Sequence, residues 1–289
     1  MAEFWRLYNN KIYRLYDTSE LGFPEADPSY IPDEYLSSKN FVLFRTCHAI
    51  GDWAILSAMP RLLKRKYPDC KVYLPSEKLL ESIFEMYRHQ WGSWSNPFSN
   101  VTKVFENNPY IDDYVDSVEG DVFHDHYRIY PKDKNIPLIK QMLKFWQFEE
   151  NEMNDCQPEL YFSEKEKELG DKIINEHSSG KIGTILLSDR FDYSPKKIEK
   201  IQNLIDENDF EYFYWTSIPN TGLNFKKALD MRHIDIRVQW YIKTKSNINI
   251  GNQTGVNDMI ARYAPTYTIP HGEVESSLGG NVIEDQNYI

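Results

Sequence analysis

Apolar positions along the chain fall into two series in which short unbroken runs alternate with helically spaced ones. In the first, "FVLF" (41–44) predicts a strand buried on both faces, and Ile55, Leu56, Met59, Leu62, Leu63 and Tyr67 recur at helical spacing after it. Pro60 interrupts that helix and is expected to bend its first turns, because it lacks a donor and crowds the preceding turn. "KVYLP" (71–75) reads as the next strand, and "SEKLLESIFEMY" as a helix opened by Ser76. In the second series "KIGTILLS" (181–188) is a strand, "SPKKIEKIQNLIDEN" a helix and "FEYFYWTS" a strand. "NINIG" is then a strand leading into the helix "NQTGVNDMIARY", one face of which carries Val256, Met259, Ile260 and Tyr263. Strands that alternate with helices predict parallel sheets covered by helices, hence an α/β fold with two Rossmann-like halves.

The segments around the two series are less regular. "FWRLYNNKIYRLY" near the start reads as a hairpin turning at Asn9-Asn10. A polar connector (19–40) follows it, and residues 90–100 read as a loop rich in Trp, Gly and Pro. "YVDSV" and "DVFHDHYRIY" are short strands, "IPLIKQMLKFWQF" is an amphipathic helix, and the charged stretch 149–172 reads as the region between the halves. That division gives domains of 1–160, with the hairpin as an N-terminal extension, and 161–289. The tail "ESSLGGNVIEDQNYI" carries little structural signal.

Charge and composition narrow the functional classes. The 289 residues hold 33 Lys and Arg against 44 Asp and Glu, a net charge of −11. That balance disfavours a broad duplex-DNA-binding face, so DNA is a weak partner candidate. Aromatic residues make up 15% of the chain, a surplus that suits sugars and nucleobases as well as cores. Cys47, Cys70 and Cys156 are far apart and odd in number, which fits reduced thiols in a cytoplasmic protein. No apolar stretch approaches the ~20 residues of a membrane span.

Asp52 follows Gly51 where the first strand gives way to a helix. A carboxylate there caps the orphan N–H groups and favours the positive end of the dipole. The same position lies at the carboxyl edge of a parallel sheet, where open α/β domains bind ligands and a carboxylate can take a hydroxyl proton. Gly51 would let a ligand approach the backbone closely.

The run "FRTCHAIGDWAILSAMPRLLKRKYPDCKVYL" resembles the opening of the lipopolysaccharide heptosyltransferases, glycosyltransferases that use ADP-heptose. Arg45, Ile50, Gly51, Asp52, Pro60, Leu62, Pro68 and Asp69 match that family's pattern in order. "NNPYIDDYV" (107–115) resembles a second segment of the family. The resemblance implies a GT-B-like fold, two Rossmann-like domains facing a cleft, with acceptor on the N-terminal one and nucleotide-sugar donor on the C-terminal one. It also implies inverting transfer to a glycan or other acceptor hydroxyl without metal or cofactor, Asp52 being the catalytic base.

Three further groups bear on the donor. Thr254 and Gly255 open the helix after the strand "NINIG", where backbone N–H groups can cradle a phosphate or where Thr254 is a plain cap. The family has Asp and often His where this chain has Gln253 and Asp258, so the donor need not be ADP-heptose. Lys196 and Lys197 fall in the first turn of a helix with Ser194 as N-cap and Pro195 as N1. That end of the dipole opposes cations by ~0.3–1 kcal/mol each unless a diphosphate binds there or the side chains are solvated. The family has basic residues at this place, and Arg190 is the nearest other counterpart. His124 and His126 share a strand face but lack a well-spaced third ligand, so no metal site is expected. Two alternatives stay open: a phage-type enzyme that glycosylates a modified DNA base, and a nucleotide-sugar-binding protein without turnover.

Overall fold

The computed structural model describes residues 4–8, 11–14, 33–45, 50–82, 98–118, 121–126, 138–188, 193–216, 222–252, 254–269 and 287–288. The chain divides into two compact units, Met1–Leu160 and Tyr161–Ile289.

The first unit holds β1 (Phe4–Tyr8), β2 (Lys11–Arg14), β3 (Asn40–Val42), β4 (Lys71–Pro75), β5 (Asp113–Val115) and β6 (Asp121–His126). β3, β4 and β5 pair in parallel in that order. The β1–β2 hairpin read from the sequence is present, its turn lying outside the described residues, and β6 pairs antiparallel with the far edge of β1. Two segments differ from their sequence reading. The connector before β3 contains a helix, Asp33–Ser38. The helix expected to bend at Pro60 is instead two helices, Ile50–Ile55 and Met59–Lys66, joined by a turn. Pro60 sits in the first turn of the second helix, where its missing N–H is harmless. The turn is held by Leu56 N to Trp53 O and Ser57 Oγ to Ala54 O, and Ser57 Oγ also accepts from the backbone of Glu159.

The basic run after Pro60 is structural. Arg61 pairs with Glu159, Lys64 with Asp112, and Lys66 with Glu152, so the helix clasps the segment 147–159 and the loop before β5. Asp112 also accepts from Lys71 and from the backbone N of Val72. Burial opposes its charge, but these hydrogen bonds outweigh it and hold its carboxyl well below the usual range.

Among its described residues the second unit holds a six-stranded sheet of β7 (Ile182–Leu187), β8 (Glu211–Thr216), β9 (Ala228–Asp230), β10 (Ile248–Asn252), β11 (Thr266–Ile269) and β12 (Asn287–Tyr288). All neighbours are parallel and the order is β12-β11-β10-β7-β8-β9. The chain therefore winds outward from β7 in one direction and from β10 in the other, the doubly wound Rossmann order. The C-terminal tail, read as signal-poor, supplies the edge strand β12.

Part of the charged stretch is regular structure. Ser163 and Glu166 form a reciprocal capping box that opens the helix Glu164–His177. It packs on the helix Ile236–Lys245, where Tyr241 donates to Asp171 and its ring covers Gly170. Arg237, fully buried, pairs with Glu166 at 2.9 Å, donates to the carbonyl of Tyr161 and lies 4.8 Å from the ring centre of Phe162. No helix among the described residues is long and apolar enough to cross a membrane.

Candidate functional site

In the first unit, Asp52 is the third residue of the helix Ile50–Ile55, inside its first turn. Its side chain lies outside the described atoms. Its neighbours fix the backbone: Gly51 is half-buried and Trp53 is buried, edge-to-face with Phe44 and Phe105 at 6.1 Å each. Phe44 follows β3, and Leu43 N extends the pairing with β4 by donating to Tyr73 O. The helix that carries Gly51 and Asp52 is thus anchored in the core by the tryptophan that follows them.

In the second unit the switch of winding direction falls between β7 and β10, at whose carboxyl ends open α/β sheets bind ligands. Ser188 and Asn252 meet there. Ser188 N donates to Asn252 Oδ1 and Asn252 Nδ2 to Ser188 Oγ, both at 2.8 Å. Asn252 O in turn accepts from Asn257 Nδ2 at 2.9 Å. Thr254 is an N-cap whose hydroxyl accepts from Asn257 N, and its carbonyl accepts from Asp258 N. Asn257 is buried, and its Oδ1 has no hydrogen-bond partner among the described residues.

The helix after Thr254 is shorter than its sequence pattern, Gly255–Ile260. Met259 and Ile260 are buried, but Tyr263 lies beyond the helix and is exposed. Pro265 and the start of β11 follow too soon for another turn. Thr254, Gly255 and Asp258 are thereby gathered on one cap, with Asp258 buried. Lys196 and Lys197 lie in the first turn of the helix Pro195–Glu207, which follows β7, the strand beside β10. Lys196 is exposed and Lys197 half-buried. Ser194 is the N-cap by backbone geometry but its side chain makes no cap bond, unlike that of Thr254. Arg190 and Gln253 lie outside the described residues.

Ser188, Asn252 and Asn257 were not singled out in the sequence. Their signal is the polar punctuation of an otherwise apolar pair of strands: β10 is buried throughout although it reads Ile-Asn-Ile-Gly-Asn. Gly251 shows how closely that strand is approached, because a Cβ there would collide with the carbonyl O of Leu186 and lie 2.6 Å from Asn257 Nδ2. Gly251→Ala is expected to lower stability by roughly 1–3 kcal/mol through forced separation of β7 and β10. Urea unfolding measures this, and an unchanged midpoint would contradict it.

No family model matches the chain, and none of the curated proteins does. Among solved structures, the chain is similar to the glycosyl transferase family 9 protein from Veillonella parvula, at 10% identity over 88% of this chain and 86% of that one, with a TM-score of 0.53. Two further similar structures are E. coli proteins. ADP-heptose lps heptosyltransferase II is 14% identical over 86% of this chain and 89% of that one, with a TM-score of 0.46. Heptosyltransferase WaaC with ADP-2-deoxy-2-fluoro heptose is 10% identical over 86% and 92%, with a TM-score of 0.45. The likeness to the Veillonella structure is one of fold, and the α/β class with parallel sheets expected from the sequence is the class observed.

Proposed function

We propose that the chain is a glycosyltransferase that moves a sugar from a nucleotide-sugar donor to an acceptor hydroxyl, with inversion and without a metal ion. The ordered run from Arg45 to Asp69 carries the reading: it sets Gly51 and Asp52 on a helix after a parallel strand, in a chain whose fold is shared with a family 9 glycosyl transferase. In this reading Asp52 takes the acceptor proton as the hydroxyl attacks the anomeric carbon, and the bond to the leaving diphosphate breaks. The C-terminal unit holds the donor at the carboxyl ends of β7 and β10. Backbone N–H groups at Thr254 and Gly255 and the cations Arg190, Lys196 and Lys197 offset the charge that grows on the diphosphate. Gln253 and Asp258 contact the donor where the heptosyltransferases carry Asp and His, so the donor need not be ADP-heptose.

The lysines give a test of the donor side. Lys196→Ala combined with Lys197→Ala should weaken nucleotide binding by roughly tenfold or more while the melting temperature stays put, given the strength of charge-assisted bonds to phosphate. Affinity measured by calorimetry over a panel of nucleotides and nucleotide-sugars reads this out, and unchanged affinity would reduce both lysines to solvated side chains. A screen of the same panel by thermal shift identifies the donor, since a ligand at 100 times its dissociation constant adds ~2.7 kcal/mol of stability.

A further inference from the structure

We propose that the first unit binds a small organic dication, a linear diamine, in a cavity at the end of the helix Leu138–Phe145. The cavity measures about 630 Å³, and every residue that lines it belongs to this unit. Pockets of roughly 300–1,000 Å³ are the size that holds small ligands. Phe148 and Met153, both buried, give it an apolar wall. Asp33, Glu149 and Glu150 line it together with Lys144 and Gln147. Three carboxylates against one ammonium leave a surplus of two negative charges, and the carbonyl end of the helix adds to it.

The arrangement fits an extended cation better than a metal ion. Among the described residues no three His, Cys, Asp or Glu side chains converge closely enough to hold a metal. The carboxylates are instead tethered at separate places. Asp33 Oδ1 accepts from Gln147 Nε2 at 3.0 Å, the Glu149 carboxylate accepts from the backbone N of Glu152, and Glu150 lies 3.5 Å from Lys144. Two ammonium groups joined by methylenes can reach separated carboxylates while the methylenes cover Phe148 and Met153. The same segment already takes one ammonium in this manner. Lys66 Nζ donates to Gln147 O and to Glu152 Oε2, each at 2.7 Å, and lies 4.9 Å from the ring centre of Phe148. The net charge of −11 raises the concentration of small cations around the chain and opposes anions.

Calorimetry on the full chain with putrescine, butylamine, butanediol and magnesium chloride tests this. Putrescine should bind more tightly than the other three and lose affinity with added salt. Asp33→Asn combined with Glu150→Gln should weaken it by about fivefold or more, the loss expected for two exposed ion pairs. Glu176→Gln combined with Asp209→Asn removes the same charge from the second unit and should leave the affinity unchanged. All four side chains are exposed, so both double variants should keep the melting temperature of the parent chain. Equal losses in the two double variants would overturn the proposal. So would butylamine, butanediol or magnesium binding as tightly as putrescine, or no putrescine binding at all. Neither a nucleotide-sugar nor Asp52 enters these measurements, so their failure is distinct from a failure of the transferase reading.

Discussion

Asp52→Asn is expected to abolish most transfer, by ~100-fold or more, while leaving the melting temperature nearly unchanged. The two halves of that outcome come from different physics. Asp52 lies inside the first turn of its helix and not at the cap, so the loss of stability is confined to the dipole term of ~0.3–1 kcal/mol. The surrounding core, Trp53 against Phe44 and Phe105, does not change. An amide, however, cannot accept the hydroxyl proton, and a missing general base removes a factor of ~100–10,000. Melting temperature and transfer rate are to be measured on one preparation, with the donor identified by thermal shift. Full activity in Asp52→Asn would return the residue to a purely helix-stabilising role.

The sequence made the outline of both units legible because their central strands are apolar on both faces, as in "FVLF" and "KIGTILLS". It also made the strand-to-helix turns legible, since Gly51-Asp52, Ser194-Pro195 and Thr254-Gly255 are local signals. What escaped it are the elements whose burial is polar. The helix Ile236–Lys245 buries Arg237 and Lys243 together with Val238, Trp240, Tyr241 and Ile242, so it lacks the one-sided apolar stripe that marks a helix. The partners that make this burial tolerable, Glu166 and Thr184, lie about 71 and 59 residues away in sequence. The helix Glu164–His177 was hidden by its charge, although Ser163 and Glu166 spell a capping box. At the candidate site the same limit applies. Thr254 and Gly255 announce themselves by sequence position, whereas the Ser188–Asn252 contact joins residues 64 apart through the parallel pairing of β7 and β10.

Replacing Lys243 by Met is expected to stabilise the chain at neutral pH. Lys243 is fully buried on the helix before β10, its Nζ donating to Thr184 Oγ1 at 2.9 Å and lying 5.5 Å from the ring centre of Trp215. Thr184 passes the contact on to Asn249 Oδ1, and Asn249 Nδ2 donates back to Lys243 O at 3.3 Å, a closed loop that ties the helix to β7 and β10. Burial, with no carboxylate partner among the described residues, pushes the Lys243 ammonium down to about 7 from an ordinary 10.5. Between those two values the unfolded chain holds a proton that the folded chain lacks, so stability rises with pH through that window and levels off below it. The integrated cost at pH 7 is on the order of 5 kcal/mol, of which Met recovers roughly 2–4 kcal/mol after loss of the Thr184 bond. The gap between the two proteins in urea unfolding should therefore be widest at and below pH 7 and close as pH approaches 10.5. Parallel pH profiles would show that the Lys243 charge is not what the fold resists. A less stable Lys243→Met protein at every pH would show that the hydrogen-bonded loop outweighs the buried charge.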